Sequence, residues 1–388
     1  MEKSIFDSVI SRKNSDSIKW SRYEDGVLPL WVADMDFPSP EVVIEAVRDR
    51  LAHPFFGYYD EITGLKKSIC SWLDTRHQWR VDPEEIVLMP GVVNGLNWVA
   101  QALMEDGQSL IFQTPVYHPF FKIAANASVT QIHSSLKEVR GRFEMDFQDL
   151  AVKIQDNTRL FILCNPHNPV GRVFTRQELK KLAEICENRD LWICSDEIHS
   201  DLVFPGSSHV PISTLDESIA RRTITLMAPS KTFNIPGLNF SFAVVPNENL
   251  RKQLKHSRKG IIGHPGLLAS YAARAAYSSG SEWLEELLIY LDENRSFVIE
   301  FLSTKMPGIK FFIPEGTYLF WLDCRQMNLE SDPHQFFLQK ARVALNDGKI
   351  FGVEGEGFVR LNFACPMRIL DSALNRMSDA VSKWGGRL

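Results

Sequence analysis

Residues 223–237 read TITLMAPSKTFNIPG, and the fold class follows from how this stretch is parsed. Thr223 to Met227 is a β-branched and apolar run of the kind that forms a buried strand. It gives way to Ala228-Pro229-Ser230-Lys231, and the breaker pair Pro236-Gly237 closes the loop. A lysine just beyond the carboxyl end of a buried strand sits where open α/β sheets place their ligands. Partial desolvation there lowers an amine's pKa and suits it to Schiff-base chemistry. Taken alone, a loop lysine is ordinarily a solvated one. The company that Lys231 keeps decides between these readings.

On both sides of the stretch the same grammar repeats. Ile86 to Met89, Ser109 to Gln113, Arg159 to Cys164, Leu191 to Cys194 and Phe240 to Val245 read as short strands. Helical patterns separate them: Leu96 to Met104, and a segment opened by Thr175 and Glu178 as a capping box and running to about Glu187. This alternation predicts an α/β domain with a mostly parallel sheet. Residues 1–40 are polar and irregular apart from Leu28 to Asp36, and read as an arm laid across another surface. Ser39 offers an N-cap and Pro40 a first helical position for a helix over Glu41 to Leu51. An aromatic cluster, Phe55-Phe56-Gly57-Tyr58-Tyr59, precedes a helix over Gly64 to Trp72. Residues 250–305 are helical, with a long helix from Ser281 to Ser303. Strands at Tyr318 to Asp323 and Phe358 to Phe363, with helices near Pro333 to Asn346 and Ile369 to Trp384, predict a small α+β unit. The expected division is an arm (1–40) joining the small domain, a large domain (41–280) and a small C-terminal domain (281–388).

Composition bounds the function. The chain has 388 residues, 44% of them hydrophobic and 23% charged, as in an ordinary soluble globular protein. A net charge of −5 argues against nucleic acid or an anionic membrane as partner. The six cysteines show no CxxC pair, and several lie in apolar runs, so they read as reduced core residues and not as disulfides or metal ligands. No apolar run reaches membrane-spanning length and no signal-like core follows Met1, which predicts a cytoplasmic protein.

Three successive strands are expected to end in loops carrying Asn168, Asp196 and Lys231, and parallel strands would bring all three to one sheet edge. An amide, a carboxylate and an amine meeting there suit pyridoxal 5′-phosphate (PLP). That cofactor needs a lysine for its aldehyde, an acid beside its ring nitrogen and a donor near its phenolic oxygen. Pro90-Gly91-Val92-Val93, opening a helix, offers backbone N–H groups and a helix dipole to a phosphate. Tyr117, past another strand, is placed to stack on the ring. Singly, each piece has an ordinary reading: Asp196 an N-cap or surface acid, Gly91 a turn residue, Asn168-Pro169 a turn initiator, Tyr117 a partly buried aromatic. The ordered set carries the argument.

Asn168-Pro169-Val170-Gly171, Ser195-Asp196-Glu197-Ile198-His199 and Ser230-Lys231-Thr232-Phe233-Asn234 resemble the motifs of fold-type I PLP enzymes of the aminotransferase class I/II superfamily. Trp31-Val32-Ala33-Asp34-Met35-Asp36-Phe37, Asn165 to Arg172 and Gly357 to Asn362 resemble its MalY/PatB-type branch of cystathionine β-lyases, also called cysteine-S-conjugate β-lyases or C–S lyases. The resemblance implies a fold-type I, transferase-like architecture: a large domain with a seven-stranded, mostly parallel sheet and a smaller α+β domain. It makes Lys231 the Schiff-base lysine, Asp196 the partner of the ring nitrogen, Asn168 the neighbour of the phenolic oxygen and Tyr117 the stacking ring. Val92 and Val93 amides with Ser230 would hold the phosphate, and Arg360 the substrate α-carboxylate. Tyr58 (or Tyr59) would reach the phosphate of the neighbouring subunit of a homodimer. His199 stands where aspartate aminotransferase-like enzymes usually carry a cofactor-contacting tyrosine. Asn239 stands near their phosphate-binding arginine, as is common in the lyase branch. Gly260 to Gly266, with His264, matches no pattern of the branch.

The implied activity is β-elimination from an amino-acid substrate, a cysteine S-conjugate such as cystathionine, with PLP as cofactor and no metal. An aminotransferase would use the same Lys231, Asp196, Asn168 and Arg360 and is the alternative enzyme. A regulatory PLP-binding protein acting through a protein partner is the alternative outside catalysis.

Overall fold

Thr223–Met227 is a strand over its whole expected length, every residue buried, in a computed structural model that describes residues 4–258 and 260–385. It lies inside a seven-stranded sheet. The strands are β1 (Ile86–Met89), β2 (Ser109–Thr114), β3 (Thr130–Ser135), β4 (Thr158–Cys164), β5 (Trp192–Asp196), β6 (Thr223–Met227) and β7 (Ser241–Val244), in spatial order β1-β7-β6-β5-β4-β2-β3. β4, β5 and β6 are parallel neighbours, as the motif argument requires, while β7 runs antiparallel to β1 and β6. Side chains alternate faces along each strand. On β5, Ile193 packs with one cluster of buried residues and Cys194 with another. Coverage on both faces is why these strands read as unbroken apolar runs.

The helices that matter for the site are α1 (Glu41–Ala52), α2 (Leu65–His77), α3 (Val92–Leu103), α4 (Arg176–Asn188), α5 (Pro229–Thr232), α6 (Leu267–Ser279), α7 (Ser281–Lys305) and α8 (Met367–Gly385). α4 opens with the expected capping box: Glu178 N–H donates to Thr175 Oγ1 at 3.2 Å, and Thr175 N–H to Glu178 Oε2 at 2.8 Å. α3 packs Leu96 and Val99 with Ile224 and Leu226 of β6. Its approach needs Gly95, because a Cβ there would lie 2.5 Å from Met89 Sδ and 3.2 Å from Leu226.

Three expectations are corrected. α3 begins at Val92, not Leu96, because Gly91 takes φ +142° and turns the chain directly into the helix. Pro40, not Ser39, is the N-cap of α1; the Ser39 hydroxyl donates instead to the Asn234 carbonyl at 3.0 Å. The helix expected over Pro333 to Asn346 is one α turn, Pro333–Phe336, and a π turn, Phe337–Ala341. It stops at Arg342 in the left-handed region (φ +57°), and Asn346 becomes a strand residue.

A second sheet combines β8 (Lys310–Phe312), β9 (Leu319–Asp323), β10 (Asn346–Asp347) and β11 (Phe358–Asn362), all antiparallel, in order β8-β9-β11-β10. The arm reaches it: Leu28–Pro29 pairs in parallel with Val343–Ala344, and Asn362 N–H donates to the Leu30 carbonyl at 2.9 Å. The following turn is clamped by charge. Fully buried Lys19 pairs with Asp36 at 2.7 Å, and Arg12 with Asp34 at 2.8 Å and Asp36 at 2.9 Å. Two cations facing two carboxylates offset much of the desolvation cost of this buried cluster. Among the described residues, no helix is long and apolar enough to cross a membrane.

Candidate active site

The carboxyl ends of β4, β5 and β6 open into a cavity of about 400 Å³. Asn168, Asp196 and Lys231 all line it, so the parallel order of the strands does bring these loops together. Val92, Val93, Tyr117, His199, Ser230 and Arg360 line it as well. Tyr58 does not: it is the most exposed aromatic among the described residues and forms no part of the lining. Tyr59 is engaged within the chain, its hydroxyl donating to the Pro265 carbonyl and meeting Ser270 Oγ at 3.2 Å.

Each side chain is placed by its local fold. Asp196 is the last residue of β5 and nearly closed off from solvent at 4% exposure. Burial, with Glu197 beside it, pushes its carboxyl up to about 7, against the Ile198 N–H bond (3.2 Å) and Lys231, which favour the anion. Lys231 sits in the short α5 with its ammonium on the cavity wall, donating to the Ala33 carbonyl at 2.5 Å. Enclosure lowers its pKa to about 8; Arg360 adds to this, while Asp34 and Asp196 oppose it. His199 is buried, and burial together with Lys231 and Arg360 holds its imidazole well below the usual range, hence neutral. Its Nδ1 has no partner among the described residues.

Asn168 stands on a loop braced from below. The His167 ring lies between the Cys164 carbonyl (3.1 Å) and the Pro115 carbonyl (2.8 Å), and Arg172 grips both oxygens of Glu178 at 3.0 and 2.9 Å. Asn168 Oδ1 accepts from Arg360 Nη1 at 2.9 Å, which joins the two sheets inside the cavity.

Arg360 comes from β11 with Val359 and Leu361 directed into the opposite core cluster. Its guanidinium lies 4.9 Å from the Phe351 ring centroid and donates to the Trp31 carbonyl at 2.9 Å and to Asn346 Oδ1. No carboxylate among the described residues pairs with it; burial lowers its pKa to about 10, with Tyr117 and Tyr318 opposing, and it stays charged at neutral pH. Burial also raises the Tyr117 phenol, whose ring meets His118 edge-on at 4.8 Å.

Several contributors escaped the sequence argument. The arm supplies the Trp31 and Ala33 carbonyls to Arg360 and Lys231, and Asn362 Nδ2 donates to the Val32 and Asp34 carbonyls at 2.7 Å each. Backbone acceptors carry no residue signature, although the Trp31-to-Phe37 motif marks the segment. His118 and Asn346 line the cavity too; Asn346 was hidden inside the expected helix. Asn239 lines it in the left-handed region (φ +53°), whereas His264 lies at a separate surface depression and faces Arg258 at 3.0 Å.

The aminotransferase class I and II family model matches residues 25–377. Cystathionine beta-lyase PatB of Bacillus subtilis (strain 168) is 40% identical over 97% of this chain and 100% of its own length. Protein MalY of Escherichia coli (strain K12) is 32% identical over 97% and 98%. Cystalysin from Treponema denticola, whose crystal structure contains pyridoxal 5′-phosphate, superposes with a TM-score of 0.93 at 35% identity, covering 98% of this chain and 99% of that one.

Proposed function

The chain belongs to the aminotransferase class I and II family, and from that premise we propose that it is a PLP-dependent carbon–sulfur lyase. Its substrates are cysteine S-conjugates of the cystathionine type, and its products a thiol, pyruvate and ammonia. One observation carries the reading: an enclosed guanidinium that pairs with no carboxylate among the described residues, Arg360, shares a cavity with Lys231 and a buried Asp196. A desolvated guanidinium is a receptor for a carboxylate, which it binds in a two-bond fork. Asp196, pushed up to about 7 by burial, calls for a cationic neighbour, and a protonated pyridine nitrogen is one. The helix start at Val92 and Val93, behind Gly91, together with Ser230, offers donors to a phosphate. The residues present therefore fit PLP.

In this reading Lys231 carries the cofactor, Asp196 keeps its ring nitrogen protonated, Asn168 neighbours its phenolic oxygen, Tyr117 stacks on it and His199 stands as a neutral wall. PLP, when bound, supplies an electron sink for the charge left at Cα. Arg360 orients the amino acid through its α-carboxylate. Lys231, released as a free amine when the substrate's amino group takes its place, would take the Cα proton at Nζ. The arm segment from Trp31 to Ala33 closes one side of the cavity against water. Exposed Tyr58, with Phe55 and Phe56 exposed beside it, suits a homodimer in which Tyr58 reaches the neighbouring phosphate. Elimination is favoured over transamination by Asn239 at the cavity, where many aminotransferases carry an arginine, and by the likeness to PatB and to C–S lyase structures.

Incubating the PLP-loaded protein with cystathionine tests the proposal. Pyruvate and free thiol should accumulate without any added 2-oxo acid. Turnover that strictly requires a 2-oxo acid would make the protein an aminotransferase instead.

A further inference from the structure

Joined to the Lys231 segment through Thr232, and outside the cavity lining, lies a buried polar cluster. Asp201, 4% exposed, is its centre and belongs to the same strand-exit turn as Asp196. Its Oδ2 accepts from the Thr232 hydroxyl at 2.8 Å. Its Oδ1 accepts from Trp72 Nε1 at 3.1 Å and faces His77 Nε2 at 3.0 Å, both on α2. Arg76, one residue before His77, donates to the Asp201 carbonyl at 3.4 Å. Burial alone would raise this carboxyl, yet the bonds from His77 and Thr232 and the charge of Arg76 hold it below the usual range. Asp201 is thus a buried anion with every oxygen engaged.

The next residue is gripped from the same place. The Phe233 ring meets Trp72 edge-on at 5.5 Å and Tyr277 of α6 at 6.1 Å. Beside Asp196, Glu197 accepts from Ser195 Oγ (2.8 Å) and the Ile212 N–H (3.2 Å) and meets His209 Nε2 at 2.7 Å. The His209 ring packs edge-on against His77 at 5.6 Å. The residue after Asp196 and the residue after Lys231 are therefore held by two carboxylate–imidazole pairs in mutual contact.

We propose that Asp201, anchored by Trp72 and His77, is a positioning residue that fixes Lys231 relative to Asp196 through its bond to Thr232. The inference rests on the reading of Lys231 as the PLP-carrying lysine. An amine that must attack the cofactor aldehyde and later a Cα proton needs its reach set to a fraction of an ångström, and misplacement by about 1 Å costs on the order of 100-fold. Neither Thr232 nor Asp201 lines the cavity, so loss of their bond leaves substrate contacts in place.

The test compares Thr232→Val, which removes only the hydroxyl, with Thr232→Ser, which keeps it, both loaded with PLP. Thr232→Ala serves the same comparison if the valine variant does not fold. In the variants lacking the hydroxyl, kcat should fall about 10- to 100-fold with KM nearly unchanged. The midpoint of the pH-dependent change in the cofactor's visible absorbance should also move from its wild-type value. Thr232→Ser should restore both. A wild-type kcat and an unmoved midpoint in Thr232→Val would overturn the positioning role and leave the Lys231 assignment standing. A wild-type protein that never develops the visible band on mixing with PLP would overturn that assignment, and the positioning role with it.

Discussion

Replacing Arg360 with alanine removes a charge that the fold holds in an enclosed position and leaves three acceptors facing a void. These are Asn168 Oδ1 and the Trp31 carbonyl, each 2.9 Å from a guanidinium nitrogen, and Asn346 Oδ1. In the proposed complex the same guanidinium binds the substrate α-carboxylate. Truncating one side of such a buried charge-assisted contact costs roughly 2–5 kcal/mol. At 1.36 kcal/mol per tenfold, kcat/KM for amino-acid substrates should drop by about 30-fold to a few thousand-fold. Arg360→Lys should fall between alanine and wild type, since lysine keeps the charge but loses the planar fork. The assay is steady-state pyruvate release from cystathionine, paired with a PLP titration followed by absorbance. Cofactor should stay bound, because Lys231 and Asp196 are untouched; only the loosened Asn168 perturbs its spectrum. If Arg360→Ala sheds PLP while the remaining loaded fraction keeps wild-type kcat/KM, Arg360 is a cofactor or framework residue and the carboxylate-receptor argument fails.

Asp196→Asn should still take up PLP yet lose about 100- to 1,000-fold in turnover, because an amide cannot hold a ring nitrogen protonated; near-normal rates would remove Asp196 from the chemistry. The pH dependence of cofactor uptake follows from the lowered pKa of Lys231. Burial disfavours its ammonium, so the reactive neutral amine predominates above about pH 8, and uptake in stopped-flow absorbance should slow about tenfold per unit below that and level off above it. A rate that keeps climbing to pH 10 would mean the amine is not desolvated. Mixing Tyr58→Phe subunits with Lys231→Ala subunits should recover activity, since the hybrid dimer contains one site with an intact lysine and an intact tyrosine from the other chain. Verified hybrids that stay inactive would place Tyr58 outside the neighbouring site.

Residues with a strong local rule were legible from sequence. The run over Thr223 to Met227 has no periodicity but is β-branched, short and ended by Pro229, and it forms a strand over those same residues. The capping box at Thr175 and Glu178 fixes a helix start by two reciprocal bonds, and it sits as expected. Because the strands that end at Asn168, Asp196 and Lys231 are consecutive and parallel, naming their loops was enough to assemble most of the cavity. The misses share a different cause. Val92-Val93-Asn94-Gly95 has poor helix propensity, yet burial of Val92 and the close packing of Gly95 on Met89 override it. The segment from Pro333 to Asn346 reads as one helix until Arg342 enters the left-handed region, an outcome set by pairing of Asn346 with Arg360 on the neighbouring strand. The bond from Lys231 to Ala33 uses a carbonyl that any residue would supply.

That arm contact has a consequence for how the protein is made. Lys231 and its Ala33 acceptor are 198 residues apart in sequence, and Arg360 and its Trp31 acceptor are 329 apart. The arm is therefore translated well before the strand bearing Arg360, which supplies another wall of the same pocket. Contacts of such long sequence separation form late, after loop-closure entropy has been overcome. Until then the apolar arm residues Leu30, Met35 and Phe37, all buried in the finished fold, lack their partners from the C-terminal third of the chain. A chain that lacks those partners thus exposes an adhesive arm, the kind of surface that chaperones bind. The pocket has all its walls only when residues 31–33 and the strand bearing Arg360 are both in place.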